Sequence, residues 1–292
     1  MFFEKIVSYL GSLFLSLLSL LPLRILYLLA RAIHFFLYRI SGYRLQVVRE
    51  NLRNSFPEKS DAELLAIEKE YYRYLANLIV EVIKMNTLSP ADLKKRFEFK
   101  GAQAVEAYLG QGKSVLLCAA HYGNWEWCNM VIGLWFSADN YAIYKPLSNP
   151  VFDHWFKRAR SRFGNKMIAM RQTLRALTSV TDRPTLFSFG NDQAPARNES
   201  QYWTTFLHQE SSIQLGIEKI AKKTGRPIFY LNIKPIRRGY YEVVCDPICL
   251  EPEKTKPFEI TELHTRYLEK MIETVPAYWL WSHRRWKYKP LV

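Results

Sequence analysis

The chain is poor in cysteine, glycine and proline, and it has far less acid than base. Its 4 cysteines in 292 residues are too few and too clustered for a secreted disulfide framework, so they read as reduced thiols. With only 12 glycines and 14 prolines beside 49% hydrophobic residues, collagen-like repeats and disorder are excluded. Internal repeats, low-complexity tracts and a clear linker are also missing. Beyond the first forty or so positions no apolar run of spanning length recurs, which excludes a multi-span transporter. The length suits one large domain or two small ones, ample for a buried core.

Base and aromatic side chains are abundant. There are 41 Lys+Arg against 27 Asp+Glu, a formal charge of +14, and aromatics reach 15%. This combination points to nucleic acid or to an anionic membrane, and the N-terminus separates the two. The 18 residues from Ile6 to Leu23 carry no formal charge. As a helix they would extend about 27 Å, the short edge of what crosses a bilayer core. Pro22 bends the run, and Arg24, Arg31 and Arg39 then punctuate further apolar stretches. That spacing fits a helix at an interface, cations reaching headgroups while Leu and Phe sink inward. A signal peptide should end in a small-residue cleavage site, and this run ends in Pro22 and Arg24. A buried core helix is the other alternative. The expectation is a membrane-associated helical anchor over residues 1–40, either a transmembrane helix or one lying flat, followed by a domain over 41–292. Nucleic-acid binding would leave the Leu/Phe run without a purpose, so no nucleic-acid partner is expected.

Ser60-Asp61-Ala62-Glu63 is a capping box, and Leu64, Ile67, Tyr71, Leu75, Leu78 and Val82 follow at helical spacing, predicting a long amphipathic helix over 60–86. Past residue 100, short apolar runs alternate with helical segments: SVLLCAA, NYAIYKP, KMIAM, PTLFSFG, PIFYLNIKP and YYEVVCDPICL. They predict an α/β fold, a mainly parallel central sheet flanked by helices. Asn149-Pro150 should start a helix through Phe163. Ser211 or Ser212 should start another, ended by Gly225 with Pro227 beyond it.

The chemistry concentrates in Ala119-Ala120-His121-Tyr122-Gly123-Asn124-Trp125-Glu126. Here a buried strand gives way to a helix predicted over Trp125–Trp135, the place where open α/β sheets bind ligands. His121 sits at the strand end, Gly123 allows a tight turn, and Glu126 falls in the first helical turn. A carboxylate on one imidazole nitrogen fixes the tautomer and leaves the other as a general base. The helix N-terminus offers N–H groups to developing negative charge. Cys118, His121 and Cys128 also suggest a metal site, but their spacing matches no usual zinc pattern and lacks a second half. We expect no metal, with Cys118 and Cys128, like Cys245 and Cys249, as buried free thiols.

The run His121-Tyr122-Gly123-Asn124-Trp125-Glu126 resembles the His-x4-Asp/Glu motif of the lysophospholipid acyltransferases, in particular the lipid A biosynthesis branch, which carries Glu. Four further blocks resemble that branch in order: Tyr144-Lys145-Pro146 with Asn149-Pro150, Arg160, Asp192-Gln193, and Trp279-Leu280-Trp281-Ser282-His283-Arg284-Arg285-Trp286-Lys287. Two departures stand out. Phe206-Leu207-His208 replaces the usual Phe-Phe-Gly, and Lys145 replaces an Arg, exchanging a planar fork for a point charge. Both lie near the expected acceptor side.

The resemblance implies a membrane-associated acyltransferase without a cofactor, at the bacterial inner membrane with its catalytic domain on the cytoplasmic side. It would move a fatty acyl chain from a thioester donor, acyl carrier protein or acyl-CoA, to a hydroxyl of an anionic glycolipid such as a lipid A precursor. His121 would be the general base and Glu126 its orienting carboxylate. Asn124, Lys145, Arg160, Asp192 and Arg284 would contact substrate, Arg160 through a phosphate or the oxyanion, and Asp192 through Arg160 or an acceptor hydroxyl. The alternating C-terminal bases and aromatics suggest phosphate-binding cations beside Trp and Tyr at headgroup level. Other acceptors compete: a lysophospholipid, a glycosylated inositol lipid or an amine-bearing lipid. A membrane scaffold without catalysis is a further alternative, for which His121 would be dispensable.

Overall fold

The computed structural model describes residues 2–178 and 182–289, so the last three positions of the expected 41–292 domain lie outside the described residues. The chain opens with α1 (Phe2–Leu20), α2 (Leu23–Phe35) and a π turn at Phe36–Ile40. Then come α3 (Leu45–Ser55), α4 (Asp61–Lys84) and α5 (Pro90–Lys94). The α/β portion follows as β1 (Phe97–Lys100), α6 (Ala102–Gly110), β2 (Val115–Ala119), α7 (Trp125–Trp135), β3 (Asp139–Tyr144) and α8 (Pro150–Arg160). It continues as β4 (Lys166–Ala169), α9 (Thr173–Thr178), β5 (Thr185–Gly190), β6 (Trp203–Phe206) and β7 (Gln209–Ser212). It closes with α10 (Gly216–Thr224), β8 (Ile228–Arg237), β9 (Tyr240–Cys249) and α11 (Glu259–Thr274).

Seven strands form one sheet in the order β1-β9-β8-β2-β5-β3-β4. β8, β2, β5, β3 and β4 are mutually parallel, while β9 turns back against β8 as a hairpin and β1 runs parallel to β9. The mainly parallel sheet read from the sequence is therefore present. Val115, Leu116, Leu117 and Cys118 of β2 are all fully buried, as a central strand covered on both faces requires. Val115 and Leu117 face a core shared with α6 and α7. Leu116 and Cys118 face a second core built with α4, α10, α11 and the C-terminal tryptophans. The Ser60–Glu63 capping box is formed and starts α4.

The N-terminal helices are amphipathic in an unusual sense. The inward stripe of α1 is small and polar. Ser8 accepts a hydrogen bond from the Asn149 side chain at 2.8 Å, and Ser16 accepts one from the Trp155 indole at 3.1 Å. Between them, a Cβ on Gly11 would stand 3.3 Å from the Phe152 ring, so α1 lies close against α8. Leu10, Leu13, Phe14, Leu17 and Leu20 point outward and are exposed, as are Ile25, Leu28, Phe35 and Phe36 beyond them. Among the described residues no helix is long and apolar enough to cross a membrane. Of the two forms of anchor left open by the sequence, the transmembrane helix is therefore not found among the described residues: α1 ends at Leu20, and Pro22 caps a separate helix.

One further expectation is corrected around residue 210. Ser211 and Ser212 do not start a helix; they end β7, and α10 begins at Gly216. The β6–β7 hairpin turns through Leu207 and His208, with φ of 48° and 61°. Two consecutive positive φ values are what a two-residue hairpin of type I′ needs, and they favour Gly or Asn. At His208, where the resembling family carries Gly, this chain holds an L side chain in left-handed conformation, at a cost of roughly 1–2 kcal/mol. His208→Gly should therefore raise stability by about 1 kcal/mol, or ~2–3 °C in Tm for a chain of this size. Thermal unfolding of the two proteins checks this.

Candidate active site

β2 and β5 are adjacent and parallel, with Ala119 paired to Gly190. The Asn191 N–H extends the ladder by donating to the Ala119 carbonyl at 3.2 Å. Two residues past each strand end, His121 and Asp192 emerge side by side. His121 Nδ1 lies 2.7 Å from Asp192 Oδ1, and the His121 backbone N–H donates to Oδ2 at 3.0 Å. The Trp279 indole also donates to Oδ2, at 2.9 Å. Burial pushes the Asp192 carboxyl up, but the imidazole and these three donors outweigh it and hold the pKa at about 2. Asp192 is thus ionised at neutral pH and fixes the imidazole with its proton on Nδ1.

That leaves Nε2 as the acceptor. The Gln193 side-chain amide approaches it at 3.3 Å, and the His121 ring sits edge-on to Trp125 with centroids 5.0 Å apart. The imidazole remains 27% exposed, so the ring is reachable from outside at the Gln193 side. Burial depresses the His121 pKa, yet the Asp192 charge, its hydrogen bond and the more distant Glu126 charge outweigh it, and the net shift is upward from 6.5.

The turn carrying His121 is built from behind. Gly123 adopts φ +57°, and a Cβ there would meet the Ile233 carbonyl at 2.4 Å. Its N–H donates to the Tyr278 carbonyl at 3.1 Å, and Tyr74 donates to its carbonyl. Asn124, expected to contact substrate, is instead fully buried. Its Oδ1 accepts from the Trp127 N–H at 2.9 Å, capping α7, while its Nδ2 donates to Glu81 at 2.6 Å. Glu81 is a buried carboxylate on α4 that also receives the hydroxyls of Tyr27 and Tyr241. Nothing in the local sequence signals it, because a Glu within an amphipathic helix reads as solvated surface.

Glu126 does not bond His121 as the spacing suggested. Both its oxygens accept from Arg160, at 2.7 Å from Nε and 2.5 Å from Nη2. Burial raises the Glu126 pKa, but the guanidinium outweighs this and lowers it. Standing in the first turn of α7, Glu126 faces the last turn of α8 rather than the strand end behind it. The hydrogen-bonded carboxylate for His121 is Asp192, and Glu126 acts on the imidazole only through its charge. Lys145 follows β3 and is exposed, as is Arg284.

The C-terminal segment closes the site from one side. Leu280 N–H donates to the His121 carbonyl at 3.1 Å, and Trp279 bridges to Tyr122. Trp279 and Trp281 are buried edge-to-face, 4.8 Å apart. Their expected placement at headgroup level is therefore corrected: they are core residues. Arg285 is buried as well, while Arg284, Lys287 and Lys289 remain exposed. All four cysteines are buried and free, and burial pushes the Cys118 thiol far up, so none is a ready nucleophile.

A partly exposed imidazole with an ionised carboxylate behind it can assist direct attack by an incoming nucleophile. The family model described as bacterial lipid A biosynthesis acyltransferase matches residues 3–288. The chain belongs to that family. The acyltransferase is 24% identical over 250 residues to the lipid A biosynthesis palmitoleoyltransferase of Escherichia coli K12, covering 85% of this chain and 80% of that one. It is 21% identical over 290 residues to the lipid A biosynthesis lauroyltransferase of the same organism, covering 97% and 92%. A lipid A biosynthesis acyltransferase of Haemophilus influenzae is 20% identical over 280 residues, covering 94% and 85%.

Two outcomes are expected of the acyltransferase. With His121 read as a general base, which must be neutral to act and whose pKa is raised, the acidic limb of kcat/KM should lie above 6.5; a pH–rate profile reads it directly. Asp192→Asn should keep the fold but lower kcat by about 10²–10⁴-fold, since an amide in that place no longer enforces the Nδ1–H tautomer. Steady-state kinetics beside a thermal melt separates the two effects.

Proposed function

We propose that this acyltransferase carries a fatty acyl chain from a thioester donor, acyl carrier protein, to a hydroxyl of a lipid A precursor at a membrane surface. The observation that carries the reading is the His121 imidazole, held at Nδ1 by Asp192 and still 27% exposed at the strand end. The acceptor hydroxyl gives its proton to Nε2 as its oxygen attacks the thioester carbonyl. The tetrahedral oxyanion collapses, the C–S bond breaks, and the imidazolium returns the proton to the departing thiolate. A thioester is reactive enough that no covalent acyl-enzyme is required.

Arg160 has a third nitrogen, Nη1, beyond the two that bind Glu126. Together with Lys145 and Arg284 it supplies positive charge for the phosphate of an anionic acceptor. The outward Leu and Phe side chains of α1 and α2 support association with the bilayer interface, the apolar face sinking among acyl chains while the serine stripe stays docked on α8. The basic surface favours the anionic cytoplasmic leaflet of the inner membrane and an acidic carrier protein alike.

Purified His121→Ala should lose at least about 10²-fold of transfer from acyl carrier protein thioester to a lipid A precursor while sedimenting normally with vesicles. Retained turnover would remove the base assignment. Replacing Leu10, Leu13 and Leu17 together with Gln should release the protein from anionic vesicles without lowering its Tm, because these side chains are exposed. Mass spectrometry of lipids from cells with and without the intact gene reads the acceptor and chain as one added acyl group.

A further inference from the structure

A small cavity lies behind Asp192, away from His121. Asn191, Asp192, Phe206, Tyr230, His264 and Arg285 are among the residues lining it. Its volume is about 10 Å³ to a water-sized sphere, the room of a single water. Two buried polar atoms belong to its walls. Arg285 Nε and His264 Nε2 find no hydrogen-bond partner among the described residues, although the residues are only 3% and 4% exposed. Orphaned buried groups of this kind are rare in folded proteins and mark places where a ligand or water completes the structure.

The chemistry of the walls selects the occupant. Arg285 Nη2 already donates to the Ser212 carbonyl at 2.8 Å, so the guanidinium is anchored. Burial pushes the His264 imidazole down to about 4, so it is neutral and can accept a hydrogen bond at neutral pH. An anion would face the ionised Asp192 carboxylate, and a cation would face Arg285. A neutral donor–acceptor fits both.

We propose that this cavity is a binding site for one water, which accepts from Arg285 Nε–H and donates to His264 Nε2 and to Asp192. Through it Arg285 is a positioning residue for the acyltransferase reaction, steadying the carboxylate that steadies the base. This rests on the reading of His121 as base. The guanidinium also shares the Asp192 charge with the His121 imidazole, and in that way opposes its protonation. The charged and titratable groups around this pair are few. Glu126 and Arg160 act on His121 from α7 and α8, His283 acts on it from the C-terminal segment, and Arg285 acts on Asp192 from the same segment. Cys118 of β2 and Tyr230 of β8 stand near Asp192. Arg285 is the buried cation of this set on the Asp192 side, so its removal should make the imidazolium easier to form.

The test has two arms. A crystal structure of the full chain at a resolution that shows ordered water should hold one peak within hydrogen-bond distance of Arg285 Nε, His264 Nε2 and the Asp192 carboxylate. A dry cavity, or side chains turned to other partners, overturns the proposal. In the second arm, Arg285→Met should move the acidic limb of kcat/KM up by about one pH unit, and Arg285→Lys should return it toward the parent. A limb unmoved in Arg285→Met, with only kcat lowered, means a merely structural Arg285 and overturns the positioning role. If Arg285→Met does not fold, the crystallographic arm decides. Full turnover in His121→Ala would overturn the base reading alone, because the water peak is read without activity.

Discussion

The structure of the site depends on one buried carboxylate. Asp192 accepts from the His121 ring, the His121 backbone and the Trp279 indole, so it joins β2, β5 and the C-terminal segment at one point. A buried charge is tolerable only when its hydrogen bonds are made, and here that requirement organises the surroundings. The strand register sets His121 beside it, and the C-terminal turn must come close for Trp279 to reach it. The basic Trp-rich terminus is accordingly a wall of the catalytic crevice. Arg284, Lys287 and Lys289 are its exposed cations, while Trp279, Trp281 and Arg285 are buried.

A second buried carboxylate performs a similar task from below. Glu81 gathers Tyr27 of α2, Asn124 at the start of α7 and Tyr241 of β9. It ties the N-terminal helices to the turn that presents His121. Likewise α1 is fastened by its serines to α8, whose last residue, Arg160, holds Glu126. The helices proposed to meet the lipid and the groups proposed to meet its phosphate thus belong to one packed unit. Partners spread along the chain in this way give the α1 serine stripe a reason to face inward, leaving the leucines outside.

Much of this was legible in the residues. The capping box of α4, the Trp125 start of α7 and the Asn149-Pro150 start of α8 follow from local chemistry that needs no tertiary partner. The apolar runs gave the sheet strands from β2 onward because buried parallel strands are hydrophobic throughout. β1 and the β6–β7 hairpin escaped notice. FEFK is short, and the hairpin turns on Leu207 and His208, which carry none of the usual turn residues. The pairing of carboxylates was misassigned for a physical reason. Glu126 lies close to His121 in sequence, but a helix first turn projects sideways toward α8. Asp192 lies far along the chain and reaches His121 only because β2 and β5 are neighbours, a fact of topology that spacing does not carry. Asn124 reads as substrate-facing for a related reason: an amide after a strand-end turn looks exposed until α4 and Glu81 are packed beneath it.

The central claim is that Asp192 holds His121 with its proton on Nδ1, leaving Nε2 to take a proton from the acceptor. Nitrogen-15 NMR of the labelled histidines, above the His121 pKa, tests this most directly. The structure predicts a protonated Nδ1 in a strong hydrogen bond and an unprotonated Nε2, with the Nδ1 signal altered in Asp192→Asn. A His121 whose proton resides on Nε2, or whose signals ignore Asp192, would contradict it.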